Sequence, residues 1–218
     1  MLAQVMSEED TLAAVEAGNS IARFGDGEMH LLRGRKCISQ DPHPGLQREL
    51  SRIISVPVPR LIVGVPRVAG GPKDYYWTKL APKFDAVMNP DMRYGSAFIT
   101  RPDSAPWIKT PAYFERVAGL WRGQSVTFVG NGQRSLTPEF LTRTGAARVH
   151  FVKSSYTNSY EHIDQLERDI MAAPPMRVIL CVGATATCLA ARLCRQGYHA
   201  IDLGHIGHLW PKEFLRGG

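Results

Sequence analysis

Asp26 and Glu28 stand two residues apart, interleaved with Gly25 and Gly27, directly after the short apolar run 20–24, Ser-Ile-Ala-Arg-Phe. That run has the length and character of a buried strand. In extended backbone, residues two apart project to the same side, so the two carboxylates are expected to face one ligand. The glycines let that ligand approach the backbone. Two hard oxygen donors at a strand end suit Mg²⁺ or Mn²⁺, cations that keep several waters and share their shell with phosphates. A plain structural reading competes: Asp26 caps a helix and Glu28 occupies its first turn.

Further candidate groups follow other apolar runs. Strands are expected at 20–24, 61–65, 95–100, 126–129, 149–152, 178–182 and 199–205, and most of the intervals carry helical spacing, as at Leu46, Leu50, Ile53 and Ile54. Alternating strands and helices predict an α/β fold. The expectation is a single Rossmann-like domain over 1–218, a mostly parallel sheet with flanking helices and right-handed crossovers. Parallel sheets bind ligands beyond the carboxyl ends of their strands. Arg67, Arg101, the turn 130–135 with Asn131 and Arg134, Lys153, the segment 183–187 and the pair Gly204-His205 all fall at such ends. The turn 130–135 is neither a G-x-G-x-x-G fingerprint nor a P-loop, although its polar donors suit phosphate or ribose. The amides of Gly183 to Thr185, at a helix start, also suit phosphates. Asp202, inside the last strand, is either a base or a buried carboxylate bonded to a neighbouring loop. His205 just beyond it is a candidate ligand or second base.

With 44% hydrophobic and 21% charged residues, the 218-residue chain is expected to pack a core. Its net charge of +6 is spread out; it fits an anionic ligand or peripheral association with an acidic membrane surface. No basic run with interleaved aromatics argues for nucleic acid. The four cysteines form no Cys-x-x-Cys pair, which disfavours zinc and reads as thiols in a reducing compartment. The start lacks a basic, then apolar, leader pattern, and no run approaches the ~20 apolar residues of a membrane span. A soluble protein of the cytoplasm, at most peripheral to the inner face of the membrane, is the expectation.

The run Arg23-Phe24-Gly25-Asp26-Gly27-Glu28 resembles the signature of the GT-D-type glycosyltransferases, a bacterial domain first catalogued without a function. The far end, Gly183-Ala184-Thr185-Ala186 and then 197–206 around Asp202 and His205, resembles the same family. The resemblance spans roughly 21–210 and implies transfer of a hexose, typically glucose, from a UDP-sugar with a divalent metal. It makes Asp26-Gly27-Glu28 the Asp-x-Glu motif. On that reading the donor is expected on Arg23, Phe24, Gly25, Asn131, Arg134, Lys153, Gly183 and Thr185 and the metal on Asp26, Glu28 and His205, with Asp202 the candidate base if it is not a buried structural carboxylate. The implied partners are a nucleotide sugar and a glycan, glycoprotein or lipid-linked acceptor, with a homo-oligomer allowed. Two other classes remain: a metal-assisted phosphohydrolase acting on a nucleotide or sugar phosphate, and a non-catalytic nucleotide-sugar-binding module.

Overall fold

A strand buried on both faces lies in the interior of the sheet: β1 (Ser20–Arg23), whose four residues are all buried. The computed structural model describes residues 5–131, 136–172, 177–204 and 206–209. The other strands are β2 (Leu61–Val65), β3 (Gly95–Ser96), β4 (Ser125–Gly130), β5 (Arg148–Lys153), β6 (Arg177–Cys181) and β7 (His199–Asp202). They pair in the order β3-β2-β1-β7-β6-β4-β5, every pairing parallel. Parallel strands need helical crossovers on the faces, so the central strands see no water and read as apolar runs. The edge strand β5 instead mixes exposed and buried residues.

Helices fill the crossovers: α1 (Glu8–Glu16), α2 (Asp26–Leu32), α3 (Pro44–Ser55), α4 (Asp74–Asp85), α5 (Pro111–Gly119), α6 (Pro138–Arg143), α7 (Ile163–Met171) and α8 (Ala184–Arg195). Their starts follow capping chemistry: the hydroxyls of Ser7, Thr110 and Thr137 accept from Asp10, Tyr113 and Phe140 amides. Helix α8 is buried along most of its length, and its small residues let it lie close beneath β1 and β7. The six-residue α6 is an element that sequence periodicity missed.

All seven expected strands form, but two end three or more residues before their expected runs do. Strand β3 ends at Ser96, and 97–100 turn inward, leaving Phe98 and Ile99 buried in the core. Strand β7 stops at Asp202 because Gly204 takes a left-handed conformation, φ 55°. Among the described residues, β1 and β7 share one register pair, Ile21 with Ile201, whereas β1–β2 and β6–β7 each share four. Beyond Ile21 and Ile201 the two strands part, and the site opens there.

Candidate active site

Arg23, the last residue of β1, is buried, and both terminal nitrogens of its guanidinium are engaged by the fold, while Nε has no partner among the described residues. Nη1 donates to the Ala97 carbonyl at 3.0 Å and to Thr100 Oγ1 at 2.7 Å, while Nη2 pairs with Asp202 Oδ1 at 3.3 Å. Asp202 is buried in turn. Its Oδ2 accepts from the Arg23 amide at 3.2 Å, and its Oδ1 also accepts from the Gly204 amide at 3.0 Å. Gly204 is required on two counts: its φ is positive, and a Cβ there would stand 2.0 Å from Arg23 Nη2. From below, Thr187 of α8 donates its hydroxyl to the Arg23 carbonyl at 2.8 Å.

Above this buried pair the chain turns at once into α2. Gly25 is the N-cap in extended backbone, and Asp26, Gly27 and Glu28 form the first helical turn. The expected extended projection of Asp26 and Glu28 is therefore corrected. A helix starts here because Glu28, three residues past the cap, reaches back and accepts from the Gly25 amide at 2.7 Å. Asp26 is exposed; its Oδ1 accepts from the Gly27 amide at 3.1 Å and its Oδ2 from the Tyr76 hydroxyl of α4 at 3.0 Å. Burial pushes the Glu28 carboxyl up to about 7; the charges of Asp202 and Asp26 add to the rise, and the bond from the Gly25 amide opposes it.

Both carboxylates nonetheless line one cavity of about 540 Å³ at the carboxyl edge of the sheet, over the gap between β1 and β7. Asp202, Arg23 and Gly204 also contribute to its lining, and Gly183 and Ala184, at the start of α8, close one side. Trp77, Phe98 and Arg101 line it from α4 and the turn after β3. A loop carrying Lys36 to Ser39 borders it, with Ile38 almost fully exposed. Gly183 is confined to glycine's own region of backbone space, φ 58° and ψ −144°.

The cavity thus brings together Arg23, Phe24, Gly25, Asp26, Glu28, Gly183 and Asp202. Phe24 is fully buried, so its ring belongs to the core. Thr185 lies one position behind the lining residue Ala184; it is buried, and its hydroxyl has no hydrogen-bond partner among the described residues. Asn131 and Lys153 do not line the cavity. They follow β4 and end β5, three and four strands from β1, or about 14 and 19 Å at ~4.8 Å per strand. Arg67 pairs with the buried Glu8 at 3.0 Å instead of turning to the rim. Arg134 and His205 lie outside the described residues. Sequence reasoning missed the loop around Ile38, since nothing local announces which crossover segments fold over a strand end.

Among the described residues, no three His, Cys, Asp or Glu side chains gather as a metal-binding group. Asp26 and Glu28 offer two carboxylates to one cavity. That donor set fits a hard divalent cation that completes its shell with water and ligand oxygens. It does not fit a closed structural zinc site.

A parallel sheet whose central strands part beneath carboxylates, with a helix start alongside, is the architecture of α/β proteins that bind nucleotide-like ligands at a switch point of strand order. The chain belongs to the family described as glycosyltransferase GT-D fold, whose model matches residues 21–212. It is 31% identical over 208 residues to a probable glycosyl transferase, Gly, of Streptococcus gordonii, covering 88% of this chain and 30% of that protein. It is 29% identical over 220 residues to the glycosyltransferase GlyD of Streptococcus pneumoniae serotype 4, covering 93% of this chain and 27% of that one. This chain therefore spans less than a third of the length of these relatives. A glycosyltransferase (DUF1792) from Streptococcus sanguinis superposes with a TM-score of 0.80 at 27% identity, over 93% of this chain and 81% of that one. A second solved structure, a domain of unknown function 1792 described as having a distinct glycosyltransferase fold, gives 0.81 at 26% identity, over 94% and 80%. No helix among the described residues is long and apolar enough to cross a membrane.

Proposed function

We propose that this chain transfers a hexose from a UDP-sugar to a glycan, glycoprotein or lipid-linked acceptor, with Mn²⁺ or Mg²⁺ held by Asp26 and Glu28. The observation that carries the reading is the meeting of these two carboxylates in one cavity over the parting of β1 and β7, in a chain of this family. In the reaction, the bond between the anomeric carbon and the phosphate oxygen breaks, and the nucleoside diphosphate leaves with the electron pair. The acceptor oxygen bonds to that carbon and gives up its proton. A divalent cation supplies Lewis-acid stabilisation of the diphosphate's growing charge.

The protein's own groups do the positioning. The Glu28 carboxylate, tied to the Gly25 amide, and Asp26, tied to the Tyr76 hydroxyl, are held before any ligand arrives. The start of α8 at Gly183 and Ala184 presents backbone amides to phosphate or ribose oxygens. Asp202 acts as a positioning residue through Arg23. Both of its oxygens already accept hydrogen bonds, which fits the buried carboxylate that its place in a strand allowed better than a base waiting for an acceptor hydroxyl.

The test is product analysis with Mn²⁺ and a panel of UDP-sugars, with and without glycan acceptors. Asp26→Asn and Glu28→Gln are expected to lower transfer by at least ~100-fold while the fold is kept, the scale of losing a preorganised electrostatic group. Wild-type transfer by both variants removes the mechanism, and acceptor-independent release of inorganic phosphate supports a phosphohydrolase instead.

A further inference from the structure

Arg23 lines the cavity, but the fold has already claimed the terminal nitrogens of its guanidinium. Arg101, on the turn after β3, is placed differently. Its backbone is anchored: its amide donates to the Phe98 carbonyl, and its carbonyl accepts from the Ser104 and Ala105 amides, each at 2.9 Å. Its side chain is gripped along one edge, Nε donating to Asp103 Oδ1 at 2.8 Å and Nη2 to Asp103 Oδ2 at 2.9 Å. Asp103 is itself paired with Lys73, the residue that precedes α4. A guanidinium held this way by a planar carboxylate has one edge fixed and the other free. No described residue accepts from Nη1, and Arg101 lines the same cavity as Asp26 and Glu28, whose charges reach it.

We infer that Arg101, presented by Asp103, is the cationic group that takes the oxygens of the donor's diphosphate. The inference rests on the glycosyltransfer reading and deepens it by naming the ligand portion and its receptor. A diphosphate carries more charge than a cation on Asp26 and Glu28 alone balances, and a rigid fork matches phosphate oxygens in a way a lysine does not. Because Asp103 holds the side chain beforehand, little rotamer freedom is lost when the anion arrives. Asp103 is a positioning residue for Arg101.

The experiment is titration calorimetry of the whole chain with inorganic pyrophosphate and with UDP, each with and without Mn²⁺, alongside melting temperatures. Arg101→Gln is expected to weaken both probes by the same factor, roughly ten- to hundredfold for a hydrogen bond to a charged group. Arg101→Lys, which keeps the charge and loses the fork, is expected to fall between Gln and wild type. If Arg101 only ties its turn together through Asp103, Arg101→Gln lowers the melting temperature and leaves pyrophosphate affinity unchanged, which overturns the inference. Should that variant melt below the assay temperature, Arg101→Lys decides, and wild-type pyrophosphate affinity in it overturns the inference equally. If wild type binds neither probe in the presence of Mn²⁺, the glycosyltransfer reading fails and takes this inference with it. Binding without transfer to any acceptor removes only the former.

Discussion

Replacing Asp202 by Asn decides between a brace and a base. The Arg23 and Asp202 side chains are 9% and 6% exposed, so water screens their attraction little and cannot rescue a broken pair. The Asn side chain keeps the shape but loses the charge. One of its two ends becomes a donor, facing either the Arg23 amide or both the Arg23 guanidinium and the Gly204 amide, all donors themselves. Arg23 would keep the Ala97 carbonyl and the Thr100 hydroxyl, with no counter-charge in the pair. Breaking a buried pair by removing one partner costs about 3–5 kcal/mol. For a domain of this size that lowers the melting temperature by roughly 6–20 °C, at ~2–4 °C per kcal/mol. The assay is urea unfolding of wild type, Asp202→Asn, Arg23→Met and the double variant at fixed pH. The double variant should lose less than the two singles together, because removing both charges leaves neither stranded. The brace is refuted if Asp202→Asn keeps its stability to within about 0.5 kcal/mol, the range of an unremarkable surface change, while transfer collapses.

Two more outcomes follow from the same geometry. Glu28 titrates near 7 in the folded chain against 4.5 for the free group, so the unfolded chain gives up that proton first. Relative to Glu28→Gln in chelator, wild type should therefore lose stability as pH rises from 4.5 to 7 and level off above; a pH-independent difference by denaturant titration would reject that shift. Gly204→Ala forces a side chain onto a positive φ and drives its Cβ against Arg23 Nη2, costing ~1–3 kcal/mol from the backbone alone. Combined with Asp202→Asn it should be markedly non-additive in urea, since both changes strike one pair; simple additivity would separate Gly204 from the brace.

The sheet was legible because burial on both faces imposes a sharp pattern. Runs such as Leu61-Ile62-Val63 and Val178-Ile179-Leu180 admit few other interpretations. Their spatial order was not, since it depends on which face each crossover takes. That gap explains the site residues that landed apart. Asn131 and Lys153 do follow strands, as expected, but the strands are β4 and β5, on the far wing of the sheet. Arg101 was expected beyond strand 95–100 and does reach the cavity, although the chain turns inward after Ser96 instead of running straight to it. The helical start at Asp26 was readable in Glu28 at the third position past Gly25, a spacing that favours a cap over extended backbone.

The parting of β1 and β7 sets a problem that the buried pair resolves. A cavity over the middle of a parallel sheet requires two neighbouring strands to diverge, which strands the Arg23 amide without a ladder partner. Water would satisfy that amide only by entering the core. Asp202 satisfies it with a side-chain oxygen and neutralises the guanidinium with the same carboxylate. The strands can then separate without leaving the Arg23 amide unpaired. Each further constraint follows from that one. Gly204 lacks a side chain because the guanidinium fills the space where its Cβ would lie. Thr187 ties the Arg23 carbonyl to α8, which fixes the cavity floor to the helix whose start borders the cavity. Of the three carboxylates that line the cavity, Asp26 and Glu28 are thereby left outside the charge pair that forms its floor.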